Sequence, residues 1–357
     1  MNLNIQRDLW QYLATSDKKI VMYGMGNGAD KILRICESRG IEVCDFFASD
    51  GFVRGHSFHG KTVLSYSAVK EKYGAENIIV LLSFASSLDG VIENILRVAS
   101  ECELYAPDVP VFGDTLFDMA FYLEHESEID LVYEMLSDEE SREIYENVIK
   151  YKLTGDISYL EARVSDKGEV YRSLLRSDKI KSYADLGAYN GDTVRELAEY
   201  APDLRCAIAL EPDKRTFKKL SAYAGEEDRF RVIPVNSAAW SHDATLTFDA
   251  SGNRNSNVGG AGKTVEVSAT ALDSVAAGAV DYIKYDVEGS EKEAIEGSFA
   301  TINEYYPALL VSLYHRSEDV FALPLLIKEK FPKYKFYLRR YRYIPAWDLN
   351  LICVCGR

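Results

Sequence analysis

Apolar and polar positions follow three successive rhythms along the chain. From Lys18 to about Phe112, short apolar runs (KKIVMYG, IEVCDFFAS, NIIVLLSFA) alternate with stretches of helical spacing (ADKILRICESRG, SAVKEKYG, VIENILRVAS). That alternation predicts parallel strands joined by crossover helices. Residues 114–176 lose the strand-like runs and place apolar side chains at helical intervals: Leu116, Met119, Ala120 and Leu123, then Leu131 and Met135, then Ile144 and Val148. This spacing predicts a helical connector. From Ser182 onward strand and helix alternate again through SYADLG, CAIALEP, FRVIPVNSAA, a hairpin at ATLTFDA and TVEVSA, DYIKYDVEG and ALLVSLYH. The last two runs, YKFYLRRY and LNLICVC, follow one another without a helix, so the sheet is expected to end in an antiparallel pair. The expected organisation is a parallel α/β domain over residues 1–113, a connector over 114–176 and a second α/β domain over 177–357.

Composition narrows the function classes. Hydrophobic residues make up 47% and charged residues 27%, as in soluble globular proteins, and no apolar run approaches the roughly 18 residues of a membrane span. The opening MNLNIQRDLWQYLATSDKK has no secretory pattern and is expected to form a short amphipathic helix. Cys36, Cys44, Cys102, Cys206, Cys353 and Cys355 never form C-x-x-C, which argues against a zinc site or disulfide framework and for a reducing cytoplasm. The net charge of -15 argues against general nucleic-acid binding, which needs clustered Lys and Arg. Charge is unevenly placed. Asp118 to Glu146 holds eleven acids against one base, and Lys328 to Arg342 holds seven bases against one acid. The acidic run is expected on the solvated face of helices and the basic run along a sheet edge; docking of an anionic acceptor on the basic, aromatic run is the rival reading.

Two glycine loops follow apolar runs: YGMGNGAD at 23–30 and YADLGAYNGDT at 183–193. Glycine at a strand end permits a sharp turn and close approach of a ligand. In the second loop Gly187 and Gly191 meet that need, and Asp192 and Thr193 open a helix. Asp185 lies inside the strand, where a buried acid requires a partner. Glu211 closes the next strand, where an adenosine ribose would present two hydroxyls. A glycine turn with a capping acid fits the loop equally well. The first loop fits G-x-G-x-x-A at Gly24, Gly26 and Ala29, a weak signature of a dinucleotide site, with Asp50 within reach of a ribose.

DLGAYNGDT, LEPD, VNSAAWS, ALDSV, DYIKYDVEGSE and VSLYHRSED, in this order over 183–319, together resemble the FkbM-type family of S-adenosylmethionine-dependent methyltransferases. The resemblance implies a class I methyltransferase fold with a seven-stranded sheet. It also implies cofactor contacts from Asp185, Gly187, Tyr189, Asn190, Gly191 and Thr193, with Glu211 on the ribose, Asn236 and Ser237 beside the adenine, and O-methylation of a hydroxyl on a sugar, glycan or other small-molecule product. The N-terminal pattern VMYGMGNGAD, GIEVCDFFASD and HGKTVLSYSAV resembles Rossmann-like glycine-loop domains found beside sugar-modifying enzymes, although their aspartate pair is replaced by Ala48, Ser49 and Asp50. That domain is expected to be dispensable for cofactor binding.

The chemistry is expected at two neighbouring strand ends. Asp286, Glu288 and Glu291 follow the strand DYIKY, where they can orient the cofactor, hold a divalent ion or deprotonate a hydroxyl; Glu291 fits equally a helix-opening acid. Lys284 shares a strand face with Asp286 and is expected at the surface or in an ion pair. His315, expected to end ALLVSLYH, is the preferred general base, acting as a neutral imidazole while the carbon–oxygen bond forms; a metal held by Asp286 and Glu288 is the rival device. His56, His59, His125 and His242 fall in polar loops or a solvated helix. Two other functions stay open at this level: a sensor or scaffold that binds a nucleotide or S-adenosylmethionine without transfer, and an NAD-dependent oxidoreductase built on the 24–29 loop.

Overall fold

The computed structural model describes residues 1, 3–53, 55–249 and 264–356. Its first sheet is five-stranded and parallel, in the order Leu64–Ser65, Val43–Ala48, Lys19–Tyr23, Ile78–Leu82, Glu103–Tyr105. Ile78–Leu82 is buried at every position, as a run of large aliphatics in a parallel sheet covered on both faces should be. Helices Asn27–Ser38 and Asp89–Glu101 supply that cover through Ile32, Leu33 and Cys36, and through Ile92, Ile95 and Val98.

The second sheet has seven strands in the order Arg231–Val235, Cys206–Leu210, Ser182–Leu186, Tyr282–Tyr285, Ala308–Ser312, Leu349–Val354, Lys335–Arg340. The first five are mutually parallel, and Leu349–Val354 runs antiparallel to both its neighbours. Lys335–Arg340 and Leu349–Val354 are adjacent and antiparallel, so a short connection joins them and no crossover helix is needed. The expected hairpin forms between Ala244–Asp249 and Thr264–Thr270; Ala250 lies outside the described residues.

The connector contains helices Met119–Met135 and Glu139–Thr154, capped by Asp118 and Asp138 through their carboxylates to the amides of Phe121 and Ser141. The apolar spacing alone does not decide the buried face of the first. Leu123 and Leu131 are 61% and 59% exposed, and Tyr122, Ile129 and Val132 face the core instead. The helix carries apolar residues on two stripes, and packing selects one.

The acidic and basic runs meet at Arg339, whereas Arg342 finds its acids outside the acidic run. Arg339 is buried and paired with Asp138 at 2.6 Å and Glu140 at 3.6 Å; Arg342 pairs with Glu161 at 3.0 Å and Asp89 at 3.3 Å. Arg340 is enclosed among the carbonyls of Leu160, Arg163, Tyr341 and Tyr343. Lys335–Arg340 is a terminal strand, but the connector covers it: Ser137 donates its amide to Phe336 O at 2.8 Å, and the Ser137 and Ser141 hydroxyls accept from Phe336 N and Leu338 N. The open edge is removed by side chains from the acidic segment.

Candidate active site

Strand order reverses between Ser182–Leu186 and Tyr282–Tyr285, since the chain builds outward on one side of the first before crossing to the other. Such a switch point leaves a crevice at the carboxyl ends of the strands. Register places Lys284 beside Asp185, and the alternation of the strand puts Lys284 and Asp286 on one face. The Lys284 ammonium, almost fully buried, lies 3.6 Å from Asp185 Oδ1 and 3.2 Å from Asp286 Oδ2. Asp185 is itself wholly buried and accepts a short hydrogen bond from the Thr193 hydroxyl. Burial raises the Asp185 pKa against the opposing pull of Lys284 and Thr193. Asp286 is held below the usual carboxylate range: burial opposes ionisation, and Lys284, His315 and the hydroxyl of Tyr314 overcome it.

The glycine loop does what its spacing requires. Gly187 has φ +87°, and a Cβ there would overlap the Asp286 carbonyl oxygen; Gly191 has φ +84° and abuts Tyr223 at the start of helix Asp192–Tyr200. Tyr189 is exposed at 47% with φ +47°. Asn190 receives Arg195 on its side chain at 3.3 Å and its carbonyl at 3.1 Å. Glu211 is buried at the end of the adjacent strand, where its carboxylate accepts the amide of Asp213 at 2.7 Å. Burial pushes its pKa up to about 7. Asn236 donates to the carbonyls of Glu211 and Pro212 at 2.9 and 3.2 Å, and Ser237 is buried beside it. These sequence-predicted residues lie at or just beyond the carboxyl ends of three adjacent strands.

His315 sits differently from expectation. The strand ends at Ser312, and His315 lies in the following loop, completely buried. Its Nδ1 is 2.8 Å from Glu291 Oε1, off the line of a good hydrogen bond, and its Nε2 is 3.6 Å from both Asp286 and Glu288. Burial alone would favour the neutral ring, but Glu291, Asp286 and Glu288 outweigh it and push the pKa up to about 9. This direction favours an imidazolium held among carboxylates over the neutral base expected from the sequence. Glu291 is more than a helix-opening acid: it also accepts the amides of Val287 at 2.9 Å and Gly289 at 3.4 Å, shaping the loop that carries Glu288. Glu288 has φ +56°, and its side chain is 59% exposed.

Sequence reasoning missed two contributors, Tyr314 and Phe112. Tyr314 donates to Asp286 Oδ1 at 2.9 Å and holds its ring 4.1 Å from that of His315. Phe112 packs edge-on against His315 at 6.0 Å and against Gly289. Lys284, expected in an ion pair, joins two strands at once. Nothing in the linear pattern brings Phe112 near His315, whereas Tyr314 stands next to it in the chain.

The first glycine loop is differently filled. A Cβ on Gly24 would meet Phe84 and Ser83 at 2.7 Å, and one on Gly28 would overlap the Ser83 carbonyl, so these glycines allow close packing of the neighbouring strand end. Asp50 caps the helix at Tyr66–Tyr73 by accepting from Ser67 N at 3.0 Å and Ser67 Oγ at 2.8 Å. His59 pairs with Asp30 at 2.8 Å. Among the described residues no group of three or more His, Cys, Asp and Glu side chains is arranged to hold a metal ion, all six cysteines are free, and no helix is long and apolar enough to cross a membrane.

This strand order, with its antiparallel seventh strand and an acid-lined crevice at the switch point, defines the class I methyltransferase fold. Residues 185–345 match the model of the methyltransferase FkbM domain. The crystal structure of methyltransferase FkbM from Methylobacillus flagellatus KT superposes with a TM-score of 0.72 at 19% identity, covering 94% of this chain and 90% of that one. Weaker likenesses include an rRNA methylase from Streptococcus thermophilus (TM-score 0.35, 12% identity, 53% and 94% coverage) and Aeropyrum pernix fibrillarin with natively bound S-adenosyl-L-methionine (TM-score 0.33, 13% identity, 52% and 76% coverage). A comparison with curated proteins gave no significant match.

Proposed function

We propose that the chain is an S-adenosylmethionine-dependent O-methyltransferase acting on a hydroxyl of a sugar, glycan or related small molecule. The observation that carries this reading is the pairing of Asp185 and Asp286 on one buried ammonium at the switch point, with Glu211 at the end of the next strand. Asp185 Oδ1 is buried with no hydrogen-bond partner, and the crevice holds more carboxylates than cations, which suits a cationic cofactor. S-adenosylmethionine supplies a methyl group activated by its sulfonium charge. Asp185, Gly187, Tyr189, Asn190, Gly191 and Thr193 would hold its amino-acid portion, Glu211 its ribose, and Asn236 and Ser237 its adenine.

Holding acceptor and methyl donor in line contributes the larger part of catalysis, about 7–11 kcal/mol where alignment is good. Asp286, kept ionised, orients the cofactor side of the crevice. With His315 held as a cation, Glu288 is the more accessible carboxylate and takes the hydroxyl proton as the carbon–oxygen bond forms; His315 fixes both acids. Calorimetric titration of the purified chain with S-adenosylmethionine tests the reading. Saturable binding is expected, and absence of heat at millimolar cofactor overturns it.

A further inference from the structure

Three aromatic side chains step away from the catalytic acids. The Tyr314 ring, whose hydroxyl is anchored on Asp286, is followed by Trp347 at 6.4 Å and 25° between planes, and Trp347 by Tyr343 at 5.8 Å and 34°. All three are partly exposed, whereas Tyr183, Tyr282 and Tyr285 of the neighbouring strands are wholly buried. The core therefore does not account for them.

The backbone beneath this ladder is rigidly held. Ile344 exchanges two hydrogen bonds with Ser86 of the N-terminal domain, at 2.9 and 3.1 Å. Arg340 donates to the carbonyls of Tyr341 and Tyr343 at 3.1 and 3.2 Å. Rings on a fixed support lose little further entropy when a ligand stacks on them.

Charge narrows what the ladder can take. Asp286 and Glu288 are 31% and 59% exposed at its inner end, and Asp348 is partly exposed beside Trp347. Among the described residues the nearby cations are engaged: His315 with Glu291, Asp286 and Glu288, Lys284 between two carboxylates, Arg342 with Glu161 and Asp89, Arg340 with carbonyls, and Arg316 with the Gly289 carbonyl at 2.8 Å. A phosphate or carboxylate would meet acids and, among the described residues, only cations that already have partners. An uncharged polyhydroxyl ring finds aromatic faces for its C–H surface and carboxylates to accept its O–H groups.

We propose that Tyr314, Trp347 and Tyr343 form the acceptor platform, and that it takes a neutral saccharide ring rather than a phosphorylated or acidic one. This rests on the methyltransferase reading above and names the acceptor class for that site. Aromatic faces and a few directed polar groups are the usual composition of a small-ligand site.

Saturation-transfer NMR on the full chain loaded with S-adenosylhomocysteine tests it. The probes are methyl glycosides of neutral hexoses and deoxyhexoses at tens of millimolar, with glucuronate and glucose 6-phosphate as anionic counterparts. Ring-proton saturation from at least one neutral glycoside is expected, reduced about tenfold or more in Trp347→Ala and in Tyr343→Ala, with weaker transfer to both anions. Calorimetry with S-adenosylhomocysteine on the same variants should give wild-type affinity, which shows that the fold and cofactor crevice survive. Undiminished transfer in Trp347→Ala, preference for the anions, or no transfer to any neutral glycoside overturns the platform. Failure of the wild-type chain to bind S-adenosylhomocysteine overturns instead the cofactor reading on which it rests.

Discussion

Phe112 donates its backbone amide to the His315 carbonyl at 2.9 Å, and its ring lies against the imidazole. The segment that leaves the N-terminal sheet thus closes one wall of the methyltransferase loop. Ser317 reinforces the contact through its hydroxyl to Thr115 O at 2.7 Å. We still propose residues 1–113, 114–176 and 177–357 as the three units of the chain, but the seam between the first and last passes beside the chemistry.

Phe112→Ala measures that seam. The side chain is buried, and removal of a buried phenylalanine costs about 3–5 kcal/mol. Denaturant unfolding should show a loss of that size. Affinity for S-adenosylhomocysteine should stay close to wild type, because Asp185 and Glu211 lie on other strand ends. A large loss of affinity in a folded variant would mean that the N-terminal domain shares the cofactor crevice.

Glu211→Ala should weaken S-adenosylhomocysteine binding at least tenfold, the equivalent of losing one charge-assisted hydrogen bond of about 1.5–3 kcal/mol. The elevated pKa of Glu211, about 7 because of burial, adds a pH signature. If the ionised form accepts the ribose hydroxyls, affinity rises from pH 5 to about 7 and levels off above it. Glu211→Gln should flatten that rise. Calorimetry across this range in both proteins checks it, and identical profiles would remove Glu211 from the ribose.

Gly187→Ala is expected to abolish cofactor binding through the backbone. The residue needs φ +87° and has the Asp286 carbonyl where a Cβ would go. The left-handed conformation alone costs about 1–2 kcal/mol, and relief of the overlap must move one strand end from the other. Circular dichroism with thermal unfolding should report a folded but less stable protein. Unchanged stability would show that the loop relaxes without consequence.

The long, continuous apolar strands were legible because most of them, Ile78–Leu82 and Tyr282–Tyr285 above all, are buried along their length. Leu64–Ser65 and Glu103–Tyr105 were not, since strands this short carry no period. In the site, the acids at strand ends could be read as a group because strand direction alone brings them to one rim. The charge state of His315 could not, because it depends on Glu291 and Asp286 approaching from separate turns around it. Lys284 shows the same limit: its alternation with Asp286 is visible in YIKYD, but its contact with Asp185 exists only once register pairs the two strands. The acidic and basic runs were each visible, and their pairing through Asp138 and Arg339 was hidden by long separation in the chain.

His315 should make stability depend on pH. Its folded pKa of about 9 exceeds the ordinary value near 6.5, so the stabilisation is fully present below about pH 6.5 and is lost as pH rises through 9. The shift corresponds to on the order of 3 kcal/mol. Unfolding of the wild type between pH 6 and 10 should show this decline, and His315→Gln should lack it. Equal slopes in the two proteins would mean that the ring is neutral in the fold.

The assignment of the proton acceptor separates from that of the cation. If Glu288 takes the hydroxyl proton, Glu288→Gln should lower turnover by about 10²-fold or more with any acceptor that supports it, while cofactor affinity is kept. His315→Gln should then also lower turnover, because Asp286 and Glu288 lose the charge that fixes them, but its pH–rate profile should keep no limb near 9. A rate that rises through pH 9 in the wild type and not in His315→Gln would return the role of base to the imidazole. Chelation discriminates the remaining device: a loss restored by magnesium or manganese would place a metal on Asp286 and Glu288, where it would lower the pKa of a bound oxygen directly. Turnover indifferent to chelation, with a loss in Glu288→Gln, is the result expected from the present arrangement, in which Glu288 is the more exposed of the two carboxylates.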